Sequence, residues 1–475
     1  MPPFQGQTPL QAPPSFVQKA IIAIDVGGTV FHTSASALRR ADPGSILSSL
    51  THSFPAARKH EESPFFFDRD PDLFAVLLSI LRNSKLPSNN GQFFSVDDLI
   101  SEAQYYGATA AVKSVLASPA LDGLDLSRKS VVPSGGREPA SALSTDGDGS
   151  LVFSHGSKIS VYDWALRKRS VVLTHFNCID ALTRISPSIA VAGAVDFPGL
   201  HVYDLRRKTH RETVRWEAES REIRLHDPTV QAAAFSPSNN AIFASFESGR
   251  KNAHTIMLID GGTFRPVMEL GRRIGVDADF PARKLEWVDT HNILMSSSVN
   301  SGPFGYRGEV KLWDVKSHKI VWEWQGSNPG PQHAKNDPLA PDCFADVTVG
   351  EEFGAIFKVG ARNGGLFMAD LRQLDAGWVA LGDSNPGPGG AQNKVLTYGK
   401  QVFVSRDGSL EAWCEVGSRE QGKILRKNFV GSEQGGERIT GMVAGGNRVF
   451  VARKGLQGVE VWESPSSSSS GSKLV

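Results

Sequence analysis

The 475-residue sequence holds three cysteines, Cys178, Cys343 and Cys414, too few for a disulfide framework. It contains no Asn-x-Ser/Thr sequon. Both absences favour a reducing setting inside the cell, cytoplasmic or nuclear. No apolar run approaches the ~18 residues that a membrane-spanning helix needs. The opening MPPFQGQTPLQAPPSF has no basic stretch followed by an apolar one, so no secretory signal is read there. Neither sign of charge prevails: 51 Lys+Arg stand against 50 Asp+Glu, a net +1. A chain so balanced has no global field to hold nucleic acid or an anionic membrane, and neither is expected as a partner. Catalytic signatures are missing too. There is no His-Glu-x-x-His, no Cys-x-x-Cys and no Gly-x-Ser-x-Gly, the patterns that gather zinc ligands or expose a serine nucleophile. No catalytic residue, metal site or cofactor is expected, and the chain is read as a non-enzyme.

What is present suffices for large cores. Hydrophobic residues make up 40% and charged residues 21%, and the length allows a few domains of roughly 100–200 residues each. Tryptophan marks the main boundary: all nine lie at or after Trp164. Six of the 47 glycines fall in the first 120 residues, so the rest of the chain is the richer in turns. The chain divides into a proline-bearing tail (1–17), an α/β domain (18–120), a junction (121–140), a long β region (141–464) and a Ser-rich tail (465–475). Neither tail carries enough apolar surface to offset the entropy of ordering it.

In the α/β domain, Ala20 to Val26 is apolar and β-branched, Gly27-Gly28 turns, and Thr29 to Thr33 returns, which predicts a hairpin. Ser34 is placed to cap a short helix bearing Ala37 and Leu38. Pro64-Phe65-Phe66-Phe67 reads as a strand ending at Asp68-Arg69-Asp70-Pro71, where Asp70 suits an N-cap and Pro71 the first helical position. Phe74, Leu77, Leu78 and Leu81 then follow the spacing of one buried helical face, to a stop near Asn83. Ser95-Val96-Asp97-Asp98 has the form of a capping box; Leu99, Ala103 and Tyr106 line the next helix, and Gly107 ends it. Thr109 starts a last helix with Val112, Val115 and Leu116 inward.

The hairpin IDVGGT also has the form by which sugar kinases hold phosphate, with Asp25 on the metal or the attacking hydroxyl. The plainer reading, that Gly27 and Gly28 permit positive φ, is favoured, because the second α/β lobe of such a kinase is nowhere in the sequence. The domain instead resembles the potassium-channel-tetramerisation type of BTB/POZ domain. Three motifs carry the resemblance: Val26, Gly27, Gly28, Phe31 and Thr33; Phe67 to Pro71 with Phe74, Ile80, Leu81 and Arg82; and Glu102, Ala103, Tyr105, Tyr106 and Gly107. At Arg82-Asn83-Ser84-Lys85-Leu86 the family's usual glycine is absent. The resemblance implies an oligomerising and docking module. Asp68, Arg69 and Asp70, with Tyr105 and Tyr106, are its candidate contacts to another copy or a partner. Capping within one chain is the alternative for the first three, and the two are compatible.

Along the β region seven apolar strands end in an acid or its stand-in: Asp163, Asp204, Asp260, Asp314, Asp370, Cys414 and Glu463, at intervals of 41 to 56 residues. Four-stranded propeller blades recur at about 40–45 residues, with longer loops stretching the repeat. The pattern resembles WD-repeat propellers, in which a Trp/Tyr-Asp pair closes the third strand of each blade. About seven blades are expected, without the usual Gly-His pair and with one clean Trp-Asp, Trp313-Asp314. Phe235-Ser236-Pro237, Asn239-Asn240 and Ala241 to Ala244 read as strand, turn and strand, and Lys319 to Trp324 as a fourth strand. After Glu463 no room remains for another, so a segment near Ser130-Val131-Val132 is expected to complete the last blade.

Other features are read plainly. The loop at 382–390 lacks the Lys-Ser/Thr of a phosphate loop. His32, His201 and His318 are read as surface or satisfied side chains, and the three cysteines as small core residues. Arg167-Lys168-Arg169 and Arg206-Arg207-Lys208 follow two successive third strands; they are polar turns or a patch for an acidic partner. The whole resembles a plant BTB/POZ family with a C-terminal propeller. That resemblance implies a substrate adaptor of a cullin-3 ubiquitin ligase, with cullin-3 and a second copy on the BTB domain and a protein substrate on the propeller. The alternative is an oligomeric scaffold that binds no cullin.

Overall fold

The structure is a computed structural model that describes residues 21–42, 44–51, 64–83, 96–116, 121–216, 227–248, 253–273, 281–302, 305–329, 343–361, 364–381, 392–406, 408–419, 422–430 and 437–464. The chain forms two compact units, Met1–Ala117 and Ser118–Val475.

In the first unit the predicted hairpin is β1 (Ile21–Val26) and β2 (Thr29–Ser34), antiparallel with Val26 opposite Thr29. β3 (Phe65–Phe67) joins β1 in parallel. Gly27 has φ +56°, and a Cβ there would stand 2.6 Å from the Arg69 carbonyl oxygen. Its N–H donates to the Phe67 carbonyl at 2.9 Å. That amide is therefore spent on holding β3 and is not free to bind a phosphate.

Five helices complete the unit among the described residues: α1 (Ala35–Leu38), α2 (Ile46–Leu50), α3 (Pro71–Asn83), α4 (Val96–Tyr106) and α5 (Thr109–Leu116). Ser34 caps α1 by accepting from the Ala37 N–H. The stripe on α3 is buried as its spacing requires, with Phe74, Leu77, Leu78 and Leu81 at 0 to 1% exposure. Burial of that depth stabilises by about 2 kcal/mol per side chain. Arg40 closes the other end of α3, donating to the carbonyls of Leu81 and Arg82 at 3.1 and 2.7 Å. Gly107, at φ +67°, ends α4 where a Cβ would lie 2.4 Å from that of Ser45. The Asp42 carboxylate caps α5, accepting from Thr109 and Ala110 N–H groups at 3.2 Å. Sequence reasoning missed α2 and this cap, because the cap joins residues 67 positions apart. The Ser95 capping box and the 382–390 loop lie outside the described residues.

The second unit contains seven four-stranded sheets among its described residues. Six are built from successive strands: blade 1 (142–173), blade 2 (181–214), blade 3 (229–273), blade 4 (284–329), blade 5 (344–381) and blade 6 (395–430). Blade 7 takes three strands from 439–463 and its fourth from β4 (Ser127–Pro133), which runs antiparallel to Gly458–Glu463 with Val459 opposite Val132. The first strands of the blades contact one another in a closed cycle, blade 7 against blade 1 included. This is a seven-bladed propeller shut by an N-terminal strand, so neither end of the ring leaves a sheet unpaired.

One expectation about the cysteines is corrected. Cys343 and Cys414 are buried, but Cys178 is exposed. It lies in the bend between blades 1 and 2, outside any strand.

Candidate interaction surfaces

The corner after β3 gathers the sequence candidates, and each has a distinct task. Asp70 caps α3, its Oδ1 accepting from the N–H groups of Asp72 at 2.8 Å and Leu73 at 3.4 Å. Asp68 is exposed and has no hydrogen-bond partner among the described residues. Arg69 reaches to α4, where its Nη2 donates to Glu102 Oε2 at 2.5 Å and its Nε to Oε1 at 3.4 Å. The central carbon of its guanidinium lies 4.5 Å from the Tyr105 ring centre, a cation–π contact. The bond to Glu102 holds the Arg69 pKa above its ordinary value, against the opposing effect of burial. Tyr105 itself is 42% exposed.

Tyr106 is a correction. It is fully buried, its ring packed 4.9 Å from Phe74 and 5.4 Å from Phe67, so it is a core residue rather than a contact. Consecutive helical residues point about 100° apart, so one tyrosine of the pair faces solvent and the other the core. Burial raises the Tyr106 pKa, with the nearby Glu102 carboxylate adding to it.

Sequence reasoning did not single out the outer face of the three-stranded sheet. Ile21, Val30 and Phe66 are 71, 47 and 62% exposed. The register places Val30 and Phe66 on either side of Asp25, and Ile21 four pairs along on the same face. The period-2 pattern was present in the sequence, but the run of five apolar residues in AIIAIDV hid which face was buried.

On the propeller, the recurrent aspartate has a local explanation. Asp204 Oδ1 accepts from the N–H groups of Arg206 and Arg207 at 3.0 and 2.7 Å, and Asp260 Oδ1 from those of Gly262 and Thr263. Asp163, Asp314 and Asp370 make the same bond to the residue two positions on. Each carboxylate thus caps the turn from third to fourth strand. Those bonds hold the pKa values of Asp260 and Asp314 below the carboxylate range, the bond from the Thr263 N–H leading in the first and that from Ser317 in the second. Four residues after Asp204, Asp260 and Asp314 stand Lys208, Phe264 and His318, all in the left-handed region at φ 57 to 61°.

The two departures from the pattern have reasons. Cys414 lies inside a strand that runs on to Arg419, so there is no turn at that point to cap. Burial raises its thiol to about 11, which leaves it unreactive. The strand beside Gly458–Glu463 is β4; Arg448 binds the Glu463 carboxylate and the Trp164 carbonyl of blade 1.

In the ring interior, Lys284 Nζ lies 3.0 Å from Asp346 Oδ1 and 3.1 Å from Glu286 Oε1. Burial alone would lower its pKa, but the two carboxylates outweigh it and hold it up. These charges satisfy one another across blades 4 and 5. Among the described residues no group of three or more His, Cys, Asp or Glu side chains is arranged to hold a metal. No helix there is long and apolar enough to cross a membrane. His201 is buried and bonded to the Pro198 carbonyl at 3.0 Å, whereas His32 and His318 are exposed, as their sequence context suggests.

Comparison with known proteins agrees with this division. A BTB/POZ domain family matches residues 22–115, and a family described as "At2g24240-like, C-terminal beta propeller" matches residues 135–464. The chain is 39% identical to the Arabidopsis thaliana BTB/POZ domain-containing protein At5g41330, over 94% of this chain and 96% of that one. It is 26% identical to At2g24240 of the same plant, over 94 and 98%. Among solved structures, a chain of a mitotic checkpoint complex superposes with a TM-score of 0.50 at 12% identity, covering 73% of this chain and 93% of that one; this likeness concerns the fold alone. The chain belongs to the BTB/POZ domain-containing proteins that carry an At2g24240-like C-terminal β-propeller.

Proposed function

We propose that this protein is a substrate-specific adaptor of a cullin-3 RING ubiquitin ligase, in which residues 18–120 dock cullin-3 and self-associate while the propeller holds the substrate protein. The observation that carries the reading is the union, in one chain, of a BTB/POZ unit with a closed propeller, two kinds of interaction module. The apolar outer sheet face at Ile21, Val30 and Phe66 supports protein docking on the first unit, because exposed apolar patches mark such sites. Asp68, Arg69, Asp70 and Tyr105 belong to the contact with another copy or with the cullin. The capped turns of the propeller hold loop side chains on a stiff scaffold, which suits recognition of a folded or extended protein. Self-association would multiply weak substrate contacts through local concentration.

Size-exclusion chromatography with light scattering tests both halves. The full chain alone should elute as an oligomer, and with the purified N-terminal domain of cullin-3 it should form a heavier complex. An oligomer that never takes up cullin-3 would make the protein a scaffold, and a monomer would remove the avidity argument.

A further inference from the structure

We propose that the turns after the third strands of blades 1 and 2 form a docking surface for an acidic, extended segment of a partner protein. This deepens the adaptor reading by naming the chemistry of the substrate, and it rests on that reading only for the word substrate.

Residues 163–169 and 204–215 carry eight lysines and arginines against three carboxylates, in a chain whose net charge is +1. The two turns adjoin: Ser170 Oγ donates to the Leu205 carbonyl at 2.9 Å, across the boundary between the blades. Arg169 and Arg206, the next residues on either side of that bond, therefore stand on neighbouring turns. Two of the three carboxylates are already in use; the third, Glu212, is exposed on the strand after the second turn. Asp163 pairs with Arg167 at 3.2 Å and Arg169 at 2.7 Å, and Asp204 caps its own turn. Lys168, Arg206 and Lys208 are exposed and have no ion-pair partner among the described residues. This concentrates uncompensated positive charge on a rigid support, where it attracts an anion and is screened by salt.

Strand geometry selects a peptide. Thr209–Val214, which continues directly from the second turn, is the outermost strand of blade 2, with no strand beside it among the described residues. Its first four residues are exposed. An extended segment laid on that edge finds backbone donors and acceptors as well as cations. Single-stranded nucleic acid needs aromatic platforms for its bases, and the surface offers two aromatic rings, the half-buried Trp164 and His210, whose ring packs 5.2 Å from that of His201.

Fluorescence anisotropy with a labelled decapeptide of alternating Asp and Glu tests this on the full chain. Binding should weaken at least tenfold in the Lys168→Glu/Arg206→Glu/Lys208→Glu variant and by an intermediate amount with glutamine at the same positions. Lys316→Glu/Arg372→Glu, on the equivalent turns of blades 4 and 5, should change it less than twofold. An unaltered melting temperature would show that the variants fold. The proposal is overturned if the peptide fails to bind the wild type at 100 µM (about the weakest useful range for a single module), if both sets of charge reversals act alike, or if a single-stranded RNA of equal charge binds as tightly. The charge-reversed protein should still take up cullin-3. A wild type that binds the peptide but not cullin-3 would leave the surface standing and remove the adaptor reading.

Discussion

Arg69 and Glu102 form an ion pair at 2.5 Å between the corner after β3 and the middle of α4, with the Glu102 side chain 3% exposed and that of Arg69 35% exposed. The pair ties the corner to the core beneath it. Removing the arginine leaves a buried carboxylate without its cation. Such a loss is costly, and the partial exposure of Arg69 reduces it. Arg69→Met should therefore destabilise the first unit by about 2 kcal/mol, read as a lower urea midpoint. Adding Glu102→Gln should recover part of the loss, because the buried charge is then gone. An unchanged midpoint in the single variant would show that Glu102 is satisfied without Arg69.

Cys414 provides a test of the turn-cap explanation. If the recurrent acid were a requirement of the strand, Cys414→Asp would restore the pattern and stabilise. Our account gives the opposite sign. The residue is 6% exposed inside a continuous strand, so a carboxylate there is desolvated and faces the charge of Asp122, and the nearby Gly123 and Leu124 N–H groups already donate to Gln401 and Asp122. The expected cost is at least about 2 kcal/mol, measured by thermal or urea unfolding. A more stable variant would refute the capping explanation.

Closure of the ring depends on β4. Deleting residues 125–135 removes the partner of Gly458–Glu463 and exposes an apolar edge. The melting temperature of the propeller should fall, and the protein should become prone to aggregate. Val132→Asp, at a site 4% exposed, should act in the same direction. Equal melting temperatures for wild type and deletion would mean that the ring is held elsewhere.

The histidines set an acid limit on stability. Burial lowers the pKa values of His155 and His201 below the ordinary histidine value, with neighbouring cations or histidines adding to the effect. Their unfolded forms titrate near 6.5, so below that pH the unfolded chain binds the more protons. The stability they contribute is complete above about pH 7 and is lost as pH falls through 6.5 toward the folded values. The melting temperature should drop between pH 7.5 and pH 5.5, and by less in His201→Gln. A flat profile over that range would contradict the burial argument.

What was legible in the sequence was local. The α3 stripe, the Asp70 cap and the turn-closing aspartates each act within a few residues of where they are read. Composition was informative too, since the Ser-rich stretch after Glu463 pointed to a strand from elsewhere. The misses were contacts over distance. Nothing near Arg69 announces Glu102, and nothing near Asp42 announces α5. The Tyr105-Tyr106 pair was read as one surface because a motif has no faces, whereas a helix separates adjacent side chains. Cys178 looked like a core residue by type but occupies a bend.

Docking of cullin-3 is checked by titrating its purified N-terminal domain into the full chain in a calorimeter. Saturable binding with a Kd of about 1 µM or tighter, at one cullin per chain, is the expected result. No heat at ten times that concentration, from a protein shown to be folded, would contradict it.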